Sequence, residues 1–182
     1  MLNKSVARRY AEAYFSIARE ANKIDDYQVE LGKIVQSIQE TEGLREYFAH
    51  PLIPTQEKSK IAKQLFSQEV SELTLNFLLL VLDKRREIYL ELIFKEYEEL
   101  ADESKNIKKA ELISAMDVPD AEISTLADML SRSTGKTIQL KLTIDPSILG
   151  GVKIRMGDKI IDASIAKKLE MLKKNLKQAK IS

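Results

Sequence analysis

The sequence has no cysteine, one histidine, four prolines and six glycines among 182 residues. The lack of cysteine excludes disulfide bonds, thiolate chemistry and the usual zinc ligands, and it suits a reducing cytosol. The one histidine, His50, directly precedes Pro51 in a predicted turn between helices. No motif connects it to a nucleophile or to an orienting acid, so it is interpreted as a partly exposed turn residue and not as a general base.

An excess of charge of one sign is also lacking, because 29 basic and 28 acidic residues leave a net charge of +1. No overall field would draw this chain to nucleic acid or to anionic lipid. The longest apolar run, 77–82, is far below the roughly 20 residues that span a bilayer. No apolar signal segment follows Met1. We therefore expect a cytosolic protein whose membrane association runs only through partners.

Three charged or glycine-rich clusters are candidates for chemical sites. Gly150-Gly151-Val152-Lys153 lacks the spacing of a nucleotide-binding Walker loop and precedes a strand, so nucleotide binding is disfavoured. Glu96, Glu98 and Glu99 are expected to form a solvated helix face. Six lysines near the C-terminus suggest a soluble helix surface, with RNA binding as an alternative: 167, 168, 173, 174, 177 and 180. We expect no metal, no cofactor and no catalytic residues.

Helical periodicity dominates the first half of the chain. Six successive apolar stripes predict six helices. Their members are Val6, Tyr10, Ala13, Tyr14, Ile17 and Ala21; Tyr27, Leu31, Ile34, Val35 and Ile38; Leu44, Tyr47 and Phe48; Ile61, Leu65 and Phe66; the segment 72–83; and Ile88, Leu92, Ile93, Tyr97 and Leu100. Thr55 is the predicted N-cap of the fourth helix, and Ser71 or Glu72 is predicted to open the fifth. The fifth is apolar almost all round, which indicates a central helix or one covered by another chain.

Strand periodicity appears after the polar segment 102–106, where we place a domain boundary. A strand is predicted over 107–116, with Ala110, Leu112, Ser114 and Met116 on one face. A helix begins at Pro119 and ends at Gly135, and its buried stripe consists of Ile123, Leu126, Ala127 and Leu130. The segment 138–144 alternates, bends through Gly150-Gly151, resumes at 152–156 and returns over 159–163 after a Gly157-Asp158 turn. Ser164 is predicted to cap a last helix with its stripe at Ile165, Leu169, Leu172 and Leu176.

These patterns predict an α+β protein that is mostly helical. We expect an N-terminal six-helix bundle at 1–105 and a C-terminal domain at 106–182 with a three-stranded sheet and two helices. No repeat of 20 to 50 residues recurs, which argues against a solenoid.

Two segments carry a resemblance to a known family. The strand, Gly-Gly corner and hairpin of 138–164, with its Asp162-Ala163-Ser164-Ile165 exit into a helix, closely resemble the C-terminal signature of the delta (OSCP) family of F-type ATP synthases. The segment 6–15, Val-Ala-Arg-Arg-Tyr-Ala-Glu-Ala-Tyr-Phe, resembles the opening helix of the same family. The order of the two segments and the chain length also agree, so the resemblance covers essentially the whole chain.

The resemblance implies a non-catalytic subunit of the peripheral stalk, which holds the catalytic head against rotor torque at the cytoplasmic face of the cell membrane. It implies that the N-terminal bundle docks the N-terminal helix of an alpha subunit through its first and fifth helices. It also implies that the C-terminal part joins the pair of b subunits. The protein-binding residues expected by position are Tyr10, Ala13, Tyr14, Ile17, Asn76, Leu79, Leu80 and Asp83.

The signature glycines are expected to serve backbone geometry, while Asp162 and Ser164 orient the exit into the last helix. These structural residues are Gly150, Gly151, Gly157, Asp162 and Ser164. Two positions depart from the family pattern: Arg9 stands where relatives can have proline, and Ala163 stands where glycine is common. The alternative interpretation is a generic cytosolic helical adaptor, which copurification with alpha and b subunits would discriminate.

Overall fold

The structure, a computed structural model, describes the backbone of residues 3–157 and 159–179, and the side chains of these ranges up to residue 173. The chain divides into two compact units, the first ending at Ala101 and the second beginning at Asp102. The protein is α+β and mostly helical, as predicted.

Six α-helices and one short 3-10 helix form the first unit within the described residues. Their bounds are α1 Lys4–Glu20, α2 Ile24–Glu40, α3 Leu44–Ala49, α4 Thr55–Phe66, α5 Glu72–Asp83, the 3-10 helix Glu87–Tyr89 and α6 Leu90–Ser104. The sixth predicted stripe is wrong at its start: Ile88 lies in the 3-10 helix and is 53% exposed. The chain leaves α5 through Arg85, whose φ of 53° separates the two helices.

Local caps explain where two of these helices begin. The Ser71 hydroxyl accepts a hydrogen bond from the Thr74 amide, so Ser71 caps α5, and Glu72, one of the two predicted starts, is the first helical residue. The prediction for α4 is wrong, because Pro54 occupies the N-cap position and Thr55 is already the first helical residue. A proline lacks an amide proton and holds a fixed φ, so it sets the chain direction there without a side-chain hydrogen bond.

One apolar cluster fills the interior of the first unit, with members from all six α-helices. Tyr14, Leu31, Leu78, Ile93 and Tyr97 are fully buried within it. A buried ion pair also lies in this unit: the Lys58 ammonium contacts the Glu87 carboxylate and the Phe48 carbonyl. Because both charges are almost completely excluded from water, removing either one alone would leave the other without compensation.

Within the described residues, the second unit contains four strands and not the predicted three. The strands are β1 Ile107–Ser114, β2 Thr137–Ile144, β3 Val152–Met156 and β4 Lys159–Asp162, in the sheet order β2-β1-β3-β4. The Gly-Gly corner divides the alternating segment into β2 and β3, which pair with opposite edges of β1, β2 in parallel and β3 in antiparallel register. The helix α7, Asp120–Thr134, makes the crossover between the parallel strands.

A small apolar core lies on one face of this sheet. Ala110, Leu112, Ile138, Ile154 and Met156 are buried there, and α7 covers them with Ile123, Leu126 and Leu130. Met116 was predicted on the same face, but it lies beyond the end of β1 and is 71% exposed.

The last helix, α8 Ile165–Ala179, follows a side-chain cap. The Ser164 hydroxyl accepts a hydrogen bond from the Lys167 amide at 3.3 Å, as expected for a cap. Asp162 in turn accepts from the Ser164 amide at 2.9 Å. Hydrogen bonding to Ser164, through its side chain first and its backbone amide second, lowers the pKa of Asp162. The predictions for Asp158 and for the side chain of Leu176 fall outside the described residues.

Gly151 has the tightest environment of the described glycines. Its φ is +80°, and a Cβ atom there would stand 2.7 Å from the Ala163 carbonyl oxygen and 3.0 Å from the Ser164 Cα. Gly157 also has a positive φ, +61°, but an added Cβ would meet nothing within 4 Å. Substitution of Gly157 therefore tests the cost of a positive φ alone, and substitution of Gly151 tests that cost together with a steric clash.

We predict that Gly151→Ala destabilises the second unit by about 3 kcal/mol or more, and that Gly157→Ala costs only about 1 kcal/mol, since it meets strain but no clash. Hydrogen exchange of the β1 and β3 amides measures this unit directly. Equal loss of protection in both variants would contradict the assignment of a steric role to Gly151.

Candidate functional site

A groove with a volume of about 430 Å³ lies on the first unit between α1 and α5. Its lining residues are Val6, Arg9, Tyr10, Ala13, Tyr14, Ile17, Phe77, Leu80 and Arg86. The α1 members follow helical spacing, so one face of this helix forms one wall. Most of the lining residues are apolar or aromatic, and two of them are arginines, Arg9 and Arg86.

Two aliphatic side chains at the groove are unusually exposed for their size. Ile17 on α1 is 44% exposed and Leu80 on α5 is 48% exposed. Ala13 also lines the groove and presents only a methyl group. A small residue together with exposed aliphatic side chains allows another helix to approach closely and bury apolar area.

The floor of the groove is rigid because its aromatic rings are packed on each other. The rings of Tyr14 and Phe77 stack with centroids 4.3 Å apart, and Tyr14 also lies 5.8 Å from Tyr27 and 5.3 Å from Tyr97. Tyr14 is 0% exposed and Phe77 is 8% exposed. Aromatic stacking at these distances adds to the stabilisation from burial.

A polar network fixes the hydroxyl end of Tyr14. Its oxygen lies 2.6 Å from the Thr74 hydroxyl, which donates to the Glu30 carboxylate on α2. Ser71 also donates to Glu30, at 2.6 Å. Burial raises the pKa of Tyr14 well above its ordinary value, so the phenol keeps its proton and serves as a hydrogen-bond donor. The network ties α1, α2 and α5 together beneath the groove.

The predicted binding residues divide into two groups. Tyr10, Ala13, Tyr14, Ile17 and Leu80 come together as lining of the groove. Tyr14 lies in its floor and has no exposed surface, so its contribution is to shape the groove.

The remaining three predicted residues lie outside the groove lining. Asn76 and Asp83 are exposed, and Asp83 pairs with Lys84 at 3.0 Å. Leu79 is half-buried and packs against the core. The helix α5 therefore contributes a narrower surface to the groove than the apolar sequence suggested.

Four lining residues were absent from the sequence prediction: Val6, Arg9, Phe77 and Arg86. Val6 belongs to the predicted stripe of α1, so its spacing already indicated this face. Arg9 lies three residues after Val6 and could have been found in the same way. Arg86 lies beyond the end of α5, and no periodic pattern predicts the direction of a side chain in a turn.

Glu96 was predicted on a solvated face, and that prediction is wrong. Its side chain is 2% exposed and lies 3.1 Å from the Lys4 ammonium and 3.4 Å from an Arg8 nitrogen. The hydrogen bond to Glu96 raises the pKa of Lys4. These ion pairs attach the first turns of α1 to α6 and hold one wall of the groove in place.

The family model for the ATP synthase delta (OSCP) subunit matches residues 6–176. The chain belongs to this family. It is 60% identical over 182 residues to the ATP synthase subunit delta of Syntrophomonas wolfei, with all of both chains covered. It is 40% identical over 181 residues to the ATP synthase subunit delta of Desulforudis audaxviator, again with full coverage.

A solved structure supports the fold. A chain in the mitochondrial ATP synthase hexamer of Toxoplasma gondii superposes with a TM-score of 0.71, covering 93% of this chain and 96% of that one at 19% identity. Family membership makes the protein a structural subunit of ATP synthase with no catalysis of its own. It also decides against a generic helical adaptor unrelated to energy conversion.

The hydroxyl of Tyr14 offers a direct test of the polar network. We predict that Tyr14→Phe lowers the free energy of unfolding of the first unit by about 1 kcal/mol, because Thr74 loses a buried hydrogen-bond partner while the ring packing is kept. Urea unfolding followed by tyrosine fluorescence reports this unit alone, since all six tyrosines of the chain lie in it.

Tyr10→Phe is the matched control, since the Tyr10 ring packs against the same core and its hydroxyl makes no hydrogen bond to any described residue. It should change the stability by less than about 0.5 kcal/mol. A loss of the same size in both variants would show that the network under the groove contributes no stability.

Proposed function

We propose that this subunit is a static link of the ATP synthase peripheral stalk and that its α1–α5 groove receives the N-terminal helix of an alpha subunit. The family membership supports the stalk role. The observation that carries the docking proposal is the groove itself, which assembles five of the eight residues expected from the resemblance.

The mechanical task explains why such a protein needs no active site. A rotor that turns inside a catalytic head exerts torque on it, and the head would rotate unless a fixed connection resists. Such a connection must bind at two places, one on the head and one on a membrane-anchored element. In this proposal, each of the two compact units of the chain supplies one of these binding surfaces.

The shape and chemistry of the groove suit an amphipathic helix. A helix presents apolar side chains at positions i, i+3, i+4 and i+7, and a channel between two helices accepts such a stripe. Ile17 and Leu80 supply exposed aliphatic surface, and the small side chain of Ala13 leaves room for a close approach. The stacked rings of the floor are packed in the core, so the incoming helix meets a preformed surface and little ordering cost opposes binding.

For the second unit we propose contact with the b subunits through α8. Ile165, Leu169 and Leu172 recur at helical spacing on α8 and are 48%, 57% and 57% exposed. A stripe of this kind, without a covering element among the described residues, fits one side of a helical assembly. The resemblance to the family supplies the identity of the partner.

The proposed location is the cytoplasmic face of the cell membrane, reached through the complex. Within the described residues, no helix combines the length and the apolar character that a bilayer span requires.

We predict that Leu80→Asp and Ile17→Asp each weaken binding of an alpha N-terminal peptide to the full-length chain by about 100-fold or more. A carboxylate at either position would be desolvated against an apolar stripe with no partner. Isothermal titration calorimetry gives the dissociation constants, and circular dichroism confirms that the variants are folded. Tyr14→Asp is unsuitable, because a charge at a fully buried ring would unfold the unit.

Leu65→Asp is the matched control, since Leu65 on α4 is an aliphatic residue with 44% exposure that does not line the groove. This variant should bind the peptide with the affinity of the unchanged protein. If all three variants bind equally well, or all three lose binding equally, the groove is not the docking site.

A second prediction concerns α8. The variant Leu169→Asp/Leu172→Asp should lose copurification with the b subunits and keep binding of the alpha peptide, because only the apolar stripe of α8 is disrupted. Lys167→Asp, on the opposite face of the same helix, should retain both interactions. Retention of the b subunits by the double variant would exclude this face as their binding surface.

A further inference from the structure

Two arginines, Arg9 and Arg86, belong to the lining of the groove between α1 and α5. Every lining residue belongs to the described part of the chain, and none of them carries a carboxylate. A largely apolar channel whose lining includes two cationic residues is not electrostatically neutral toward an incoming helix, since low-dielectric walls strengthen the field of nearby charges.

The neighbouring arginines of α1 have different environments. Arg8 forms ion pairs with glutamates of its own unit: its guanidinium nitrogens lie 3.0 Å from Glu12, 3.4 Å from Glu96 and 3.9 Å from Glu99. Arg9 is rotated by about 100° around the helix and is exposed on the groove side. No carboxylate of the described residues lies within ion-pair distance of Arg9.

Arg86 is positioned by an aromatic ring and not by an acid. Its guanidinium carbon lies 5.6 Å from the centroid of the Tyr89 ring, an arrangement that stabilises the cation and restricts its rotamers. Stacking leaves the nitrogen donors at the edge of the plane free for a ligand. Among the described residues, no carboxylate pairs with Arg86. Asp83, three residues earlier, is paired with Lys84.

We propose that Arg9 and Arg86 are specificity residues that select a docking helix with carboxylates beside its apolar stripe. This inference rests on the proposed function of the groove and adds the charge of the occupant to it. A guanidinium donates two parallel hydrogen bonds to a carboxylate, which fixes the register of the helix along the groove. A helix with basic side chains at the same positions is rejected by like-charge repulsion.

The test is a thermodynamic cycle that compares the binding of two proteins to two peptides. The proteins are the full-length chain and its Arg9→Gln/Arg86→Gln variant. The peptides are the N-terminal segment of the cognate alpha subunit and a neutral version in which every Asp becomes Asn and every Glu becomes Gln. Fluorescence anisotropy of the labelled peptides gives the four dissociation constants.

Neutralising the peptide should weaken binding to the unchanged protein about tenfold, the size expected for two partly exposed charge pairs. The same neutralisation should have less than about a twofold effect on the double variant, since the pairs are already gone. At about 1 M salt, where the Debye length falls to about 3 Å, the difference between the two peptides should shrink.

Arg19→Gln/Arg45→Gln is the control of equal charge change, since both arginines are exposed and neither lines the groove. It should behave like the unchanged protein toward both peptides. Equal binding of the two peptides to the unchanged protein, or an undiminished tenfold effect in the Arg9/Arg86 variant, overturns the inference while leaving the docking groove intact. Failure of the natural peptide to bind the unchanged protein would overturn the docking proposal and this inference together.

Discussion

The first unit depends on the burial of one aromatic residue, Tyr14. Its ring lies against Tyr27, Phe77 and Tyr97, and its hydroxyl reaches Thr74. These contacts fix the separation of α1 from α5, and that separation is the width of the groove. A tyrosine suits this position because its ring supplies apolar area while its hydroxyl adds a buried hydrogen bond to Thr74 that a phenylalanine cannot make. The shape of the proposed docking groove is therefore a consequence of how the core is packed.

A subunit that resists torque gains from this arrangement. A link transmits force well when its binding surfaces keep their shape under load, and stacked rings with a satisfied hydrogen-bond network resist deformation more than isolated aliphatic contacts do. In the proposed docking, the exposed side chains of Ile17 and Leu80 supply the apolar area for a partner. Rigidity and affinity would then come from different residues, so a change in the exposed wall need not alter the packed core beneath it.

Periodicity predicted most of the fold because each unit buries one continuous face. The six helices, the positions of the strands and the caps at Ser71 and Ser164 follow from local sequence. The number of strands does not follow from local sequence, because a glycine corner is compatible with one bent strand and with two separate strands. The pairing of β2 and β3 with opposite edges of β1 distinguishes the two. The lining of the candidate groove was predicted in part: helical spacing indicated the α1 wall, whereas Arg86 lies in a turn without periodicity.

Charge is where sequence is least informative, because the effect of a charged residue depends on its tertiary partners. Glu96 looks like one more solvated acid among many, yet it is buried by Lys4 and Arg8 from a helix far away in sequence. The Arg8 guanidinium is paired with Glu96, whereas its neighbour Arg9 lines the groove without a carboxylate partner among the described residues. A nearly neutral chain can thus present a local cationic margin, since the fold neutralises some arginines internally and exposes others. The recognition properties of such a surface follow from the charges that the fold leaves unpaired, and net composition does not reveal them.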